Sequence, residues 1–154
     1  MIRFDSDYLE GAHPKVLKKI VDSNYEQTMG YGKDKYCDSA KEKIKKALGR
    51  DDVDIHFLVG GTQTNLTVID AALRPHQAAL GPVSAHINVH ETGAVEATGH
   101  KVMSVASDDG KITAAQVKQE VEAHYASASF EHTTQPKLVY ISNPTELGTI
   151  YSLA

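Results

Sequence analysis

The stretch "HFLVGGTQTNLTVIDAAL" (56–73) decides the reading of this chain. An apolar run stops at Gly60-Gly61, and Thr62 opens a segment with helical spacing that puts Leu66, Ile69, Ala72 and Leu73 on one face. A glycine turn between a strand and a helix exposes unpaired backbone N–H groups and the positive end of the helix dipole. Such a turn is either a phosphate cup or a tight connection in which Thr62 serves only as the helix N-cap. Nucleotide motifs fail on spacing. No Gly-Lys-Ser/Thr follows Gly60, and "GGTQTN" is not a G-x-G-x-x-G fingerprint.

Outward from that turn the signals alternate. "DIHFLV" (54–59), "VSAHINV" (83–89), "KVMSVAS" (101–107) and "KLVYISN" (137–143) read as strands. Helices are expected over 13–26, over 39–49 with Ser39 as cap and Gly49 as stop, over 62–74, over 91–99, and over 114–127 behind Thr113. Strands alternating with helices define an α/β fold with a mainly parallel sheet and helices on both faces. In such sheets ligands collect beyond the carboxyl ends of the strands. Gly60, His90 and Asn143 should therefore crowd one edge.

The totals narrow the function. The chain has 154 residues and a net charge of −4, which suits a real core and lacks the basic surface of a nucleic-acid binder. The 41% hydrophobic and 23% charged fractions are those of a globular protein without a membrane span. The one cysteine, Cys37, has no internal partner and points to a reducing compartment, the cytoplasm.

Several stretches, in order, resemble the threonine aldolases and their β-eliminating relatives, pyridoxal-phosphate enzymes of the aspartate-aminotransferase-like fold. "GGTQTNL" resembles their Gly-Thr-x-x-Asn segment, "DSDYLEGAHPKVLKKI" their opening segment, and "GYGKD" their Tyr-Gly-x-Asp loop. "SAHINVHETGAVEATGHKV" resembles their His-x-x-x-x-Glu-x-Gly segment, and "EHTTQPKLVYISN" and "GTIYSLA" the stretch that follows. Each motif alone is short, but together they cover nearly the whole chain.

The resemblance implies roles residue by residue. Gly61, Thr62 and Asn65 match positions that hold the cofactor phosphate and its surroundings. His86 matches the histidine stacked on the cofactor ring, and an imidazole suits both stacking and proton handling near neutral pH. His132 matches a second substrate-side histidine. Ser6 and Tyr31 match substrate-contacting positions, and Asn143 a strand-end residue near the ring. Glu91 is expected to cap the helix after His90.

The resemblance further implies a lyase cleaving a β-hydroxy amino acid such as L-threonine to glycine and an aldehyde. β-Elimination and transamination on the same fold are the alternatives. Residues 1–50 would form an N-terminal segment carrying an active-site loop, and 51–154 the first part of the large cofactor domain. The family's Schiff-base lysine and ring-nitrogen aspartate have no counterpart in 1–154. The chain thus reads as the first half of a longer enzyme, inactive alone, that assembles as a homo-oligomer when complete.

Departures are local. Gly60 stands where the family has serine or threonine, and Ser142-Asn143-Pro144 where it has Glu-Asn-Thr. A metal hydrolase built on His86, His90 and Glu91 is a remote rival, because "HETGA" lacks the second histidine of His-Glu-x-x-His.

Overall fold

A computed structural model describes Arg3, Asp5, Ser6 and residues 8–153. The chain forms two compact units, Met1–Phe57 and Leu58–Ala154.

The first unit carries helices α1 (Pro14–Ser23) and α2 (Lys35–Leu48). Pro14 fits the first helical turn, where no amide donor is needed. The cap of α2 is Asp34 and not Ser39. The Asp34 carboxylate accepts the N–H groups of Tyr36 and Cys37, each at 2.9 Å. The helix therefore starts four residues before the expected serine, which lies inside it. Gly49 ends α2 in the left-handed region, at φ 66°, as its position predicts.

The second unit holds α3 (Gly61–Ala72), β1 (Gln77–Pro82), α4 (His86–Val89), β2 (Lys101–Val105), α5 (Ala114–Ala126) and β3 (Gln135–Val139). The three strands form a parallel sheet in the order β2-β1-β3. Alternate residues of central β1 face opposite ways. Ala79 packs with Ile69 and Leu73 from the α3 segment and with Ala85, Ile87 and Val95. Leu80 packs with Val105, Ile112 and the α5 residue Val117. Helices thus cover both faces, as the alternating pattern requires. A capping box at Thr113, with reciprocal bonds to Gln116, starts α5 where expected.

Three expected elements differ. Residues 83–89 are not a strand. The strand lies earlier, in "QAALGP" (77–82), where every residue is buried. Small residues carry weak strand propensity, but a central strand packed on both faces needs them. At Gly81 an added Cβ would lie 3.3 Å from both the Ala85 Cβ and the Tyr140 carbonyl. "DIHFLV" joins no ladder, since the sheet's edges are β2 and β3. Residues 91–99 form turns and a short 3-10 segment, Glu96–Thr98, because Thr92 and Gly93 take positive φ values that no α-helix accepts.

At the β3 edge of the sheet, Val139 and Ile141 are about half exposed. With Val117, Val121 and Tyr151 they line an apolar groove of about 630 Å³. No helix among the described residues is long and apolar enough to cross a membrane.

Candidate active site

The N-terminus of α3 is open. Its N-cap is Gly60, in extended backbone, and no side chain caps it. Thr62 is the second helical residue and does not serve as the N-cap. The Thr64 hydroxyl instead bonds back to the Gly60 carbonyl at 2.9 Å. An added Cβ at Gly60 or Gly61 would meet nothing within 4 Å. The turn is thus open around both glycines, and a helix start without a side-chain cap leaves backbone N–H groups for an oxyanion.

Three residues on, and so on the same face of α3 about 4.5 Å along its axis, Asn65 turns to a buried carboxylate. Its amide Nδ2 donates to Glu91 Oε1 at 2.6 Å. The same oxygen lies 2.8 Å from Nδ1 of His86, the first residue of α4. The Glu91 side chain is fully buried, whereas that of His86 is 39% exposed. Glu91 Oε2 has no hydrogen-bond partner. The ring of His90 sits 5.5 Å from that of His86, tilted by 52°.

Glu91 is thus not a helix cap. It points inward to Asn65 and His86, and no α-helix begins behind it for it to cap. The turn that aims it is strained: Thr92, a β-branched residue, has φ 51°, and Gly93 follows at φ 76°. In the lyase reading the sequence offered Glu91 only as a helix cap and not as a partner of His86. The signal was available in the His-x-x-x-x-Glu spacing, but a carboxylate in a loop looks solvated until its partners are known.

The other expected site residues are placed as follows. Asn143 lies beyond the carboxyl end of β3, the same edge as His86 relative to β1. Its side-chain oxygen accepts the Tyr151 N–H at 3.2 Å, tying down the 143–151 loop. Thr145 and Thr149 fasten that loop to the Asp109 carbonyl. The loop presses on Gly110, where a Cβ would fall 2.9 Å from Thr145 Oγ1.

His132 ends a 3-10 turn just before β3 and is exposed. Gln135 of β3 pairs with Gln77, the first residue of β1, so His132 stands at the amino edge of the sheet. His86 follows its carboxyl edge, and β1 alone separates the edges by roughly 16 Å at 3.3 Å per residue. Within one chain the two histidines do not share a site.

Ser6 and Tyr31 belong to the first unit. Ser6 Oγ accepts the Tyr8 N–H at 3.4 Å. Tyr31 is fully exposed, with a positive φ of 62°. Among the described residues no cluster of histidine, cysteine and carboxylate side chains is arranged to hold a metal ion.

The parallel sheet thus carries an open glycine helix start joined through Asn65 and Glu91 to a carboxylate-held histidine, and comparison with known proteins adds the family. A model of the beta-eliminating lyase family matches residues 4–154, and the chain belongs to that family. Its relatives include threonine aldolases. A solved structure of Leishmania major threonine aldolase is 46% identical with a TM-score of 0.87, covering 94% of this chain and 41% of that one. Two low specificity L-threonine aldolases, from Pseudomonas sp. (strain NCIMB 10558) and Pseudomonas aeruginosa, are 25% and 24% identical over 97% of this chain. The chain spans 42% of the length of each of these curated relatives.

Proposed function

We propose that these residues form the cofactor-phosphate and ring-contact part of a pyridoxal-phosphate-dependent lyase of the threonine aldolase type. The observation that carries the reading is the junction of the uncapped α3 start with His86 through Asn65 and Glu91. A phosphate dianion fits the open backbone at Gly61 and Thr62, where the helix dipole and N–H groups favour negative charge. His86, with a partly exposed ring anchored at one nitrogen, covers one face of the cofactor ring. Asn65 keeps its carbonyl oxygen and a second amide hydrogen for the same pocket. When bound, pyridoxal phosphate supplies the electron sink for bond cleavage at the substrate Cα.

The substrate is a β-hydroxy amino acid, threonine or allo-threonine, cleaved to glycine and an aldehyde. His86 handles the proton of the β-hydroxyl group. Ser6 and Tyr31 contribute to substrate binding, and Asn143 lies near the ring. His132 serves a substrate only across an assembly of copies, a dimer or tetramer, since its own chain puts it at the far edge. The cytoplasm suits a chain with one unpaired thiol.

Titration of the 154-residue chain with pyridoxal phosphate tests the reading. Reversible binding, competed by inorganic phosphate and lost in Thr62→Ala together with Gly61→Val, is expected. Borohydride trapping of the cofactor on a lysine within 1–154 would overturn the assignment of roles. In the full-length polypeptide, glycine and acetaldehyde from L-threonine are expected, and ammonia release would favour the β-eliminating alternative.

A further inference from the structure

Glu91 is a carboxylate removed from water, and one of its oxygens carries all its contacts. Asn65 Nδ2 is a donor, so the Oε1 it meets at 2.6 Å is an acceptor. His86 Nδ1 approaches that same oxygen at 2.8 Å. An oxygen already accepting from an amide takes a second donor more readily than it serves as one, and an ionised carboxylate has lone pairs only. Nδ1 must then carry a hydrogen. In the neutral ring the lone pair is left on Nε2, to which no hydrogen bond is made among the described residues.

We propose that Glu91 is a positioning residue, locked by Asn65, which holds neutral His86 as the Nδ1–H tautomer and so keeps Nε2 as a proton acceptor. The expense of the arrangement supports it. The carboxylate is wholly buried, its Oε2 is left without a donor, and Thr92 is strained to aim it. A helix cap or a surface charge would need none of these. The consequence for chemistry rests on the lyase reading above. A substrate hydroxyl meeting Nε2 gives up its proton to that lone pair, and the resulting imidazolium, now protonated on both nitrogens, is stabilised by the Glu91 charge through Nδ1–H. The tautomer itself does not depend on that reading.

Two-bond ¹⁵N–¹H correlation spectra of the ¹⁵N-labelled chain, without cofactor, read the tautomer of His86 above its titration range. The Nδ1–H pattern is expected for His86, with exposed His132 showing the mixed pattern of an unconstrained ring. Glu91→Ala should return His86 to the mixed pattern, while Glu91→Gln, whose amide oxygen still accepts, should retain Nδ1–H. An Nε2–H pattern in the unsubstituted chain overturns the proposal, and that measurement needs no variant to fold. An unchanged pattern in a folded Glu91→Ala chain overturns it equally. If His86 is Nδ1–H but pyridoxal phosphate fails to bind, the lyase reading fails and the positioning role stands.

Discussion

Helices α2 and α3 have similar lengths, 14 and 12 residues, but they are held in different ways. α2 has an acidic N-cap, lysines in its last turn and a left-handed glycine after it, and buries no residue. α3 has no side-chain cap, no acid in its first turn and no base in its last, and anchors itself through Ile69 and the following Leu73 in the sheet core. One helix is written locally and the other is imposed by packing. The difference bears on the proposed site. A capped N-terminus has its donors occupied, whereas α3, fixed from its far end, has no side chain on its own. The contrast extends to the units around them: among the described residues none before position 58 is buried.

The sharpest way to break this comparison is to truncate the anchor. Ile69, 2% exposed, should cost about 2–5 kcal/mol when changed to alanine, read from urea unfolding of the second unit. Ile44→Ala on α2, at 37% exposure, should cost about 1 kcal/mol or less. Equal losses would show that α2 has a hidden core.

Next in size is an exchange of strategies. Gly60→Asp would give α3 the cap it lacks, in extended backbone with open space for the side chain. Stability should change by only a few tenths of a kcal/mol, while affinity for pyridoxal phosphate should fall at least about tenfold. Unaltered affinity by fluorescence titration would mean that the phosphate binds elsewhere.

A smaller effect tests the local helix. Gly49→Ala forces a side chain into the left-handed region at φ 66°. It should weaken α2 by about 1 kcal/mol, visible as lost helicity by circular dichroism with the second unit unchanged.

The smallest effect is one of pH. The Asp34 carboxyl is held below the ordinary aspartate range by hydrogen bonding with the Cys37 side chain and the Cys37 and Tyr36 amides, against an opposing desolvation. Its folded value is therefore lower than its unfolded one. The stability it gives α2 is complete above the unfolded value and is lost as pH falls through the folded one. Acid titration followed at the Tyr36 and Cys37 amides should show the α2 start fraying, and an Asp34→Asn chain should not show that transition.

Legibility in the sequence follows the same division. Caps, stripes and stop signals placed α1, α2 and α5 within a few residues, because each depends on neighbours in sequence, whereas α3 showed only its apolar stripe and its expected cap, Thr62, lies inside the helix. Strand β1 was hidden. Ala78, Ala79, Gly81 and Pro82 look like no strand until β2, β3 and two layers of helices enclose them. His86 was singled out by resemblance, but expected in a strand where the structure has a helix start. Glu91 was seen as a cap because its true partner on α3 is 26 residues away. His132 was grouped with His86 by motif order alone, and strand direction separates them.

The sequence by itself determined the alternation of elements, the glycine break before α3, the family and the residue types able to hold an anion and move a proton. Those rest on local backbone preference and on order along the chain. Only the tertiary structure decided that the Glu91 carboxylate leaves water to join Asn65 to His86, and which edge each histidine occupies. Burial and hydrogen bonding between distant residues are set when the sheet closes on its helices, and no short window of sequence contains both Asn65 and Glu91.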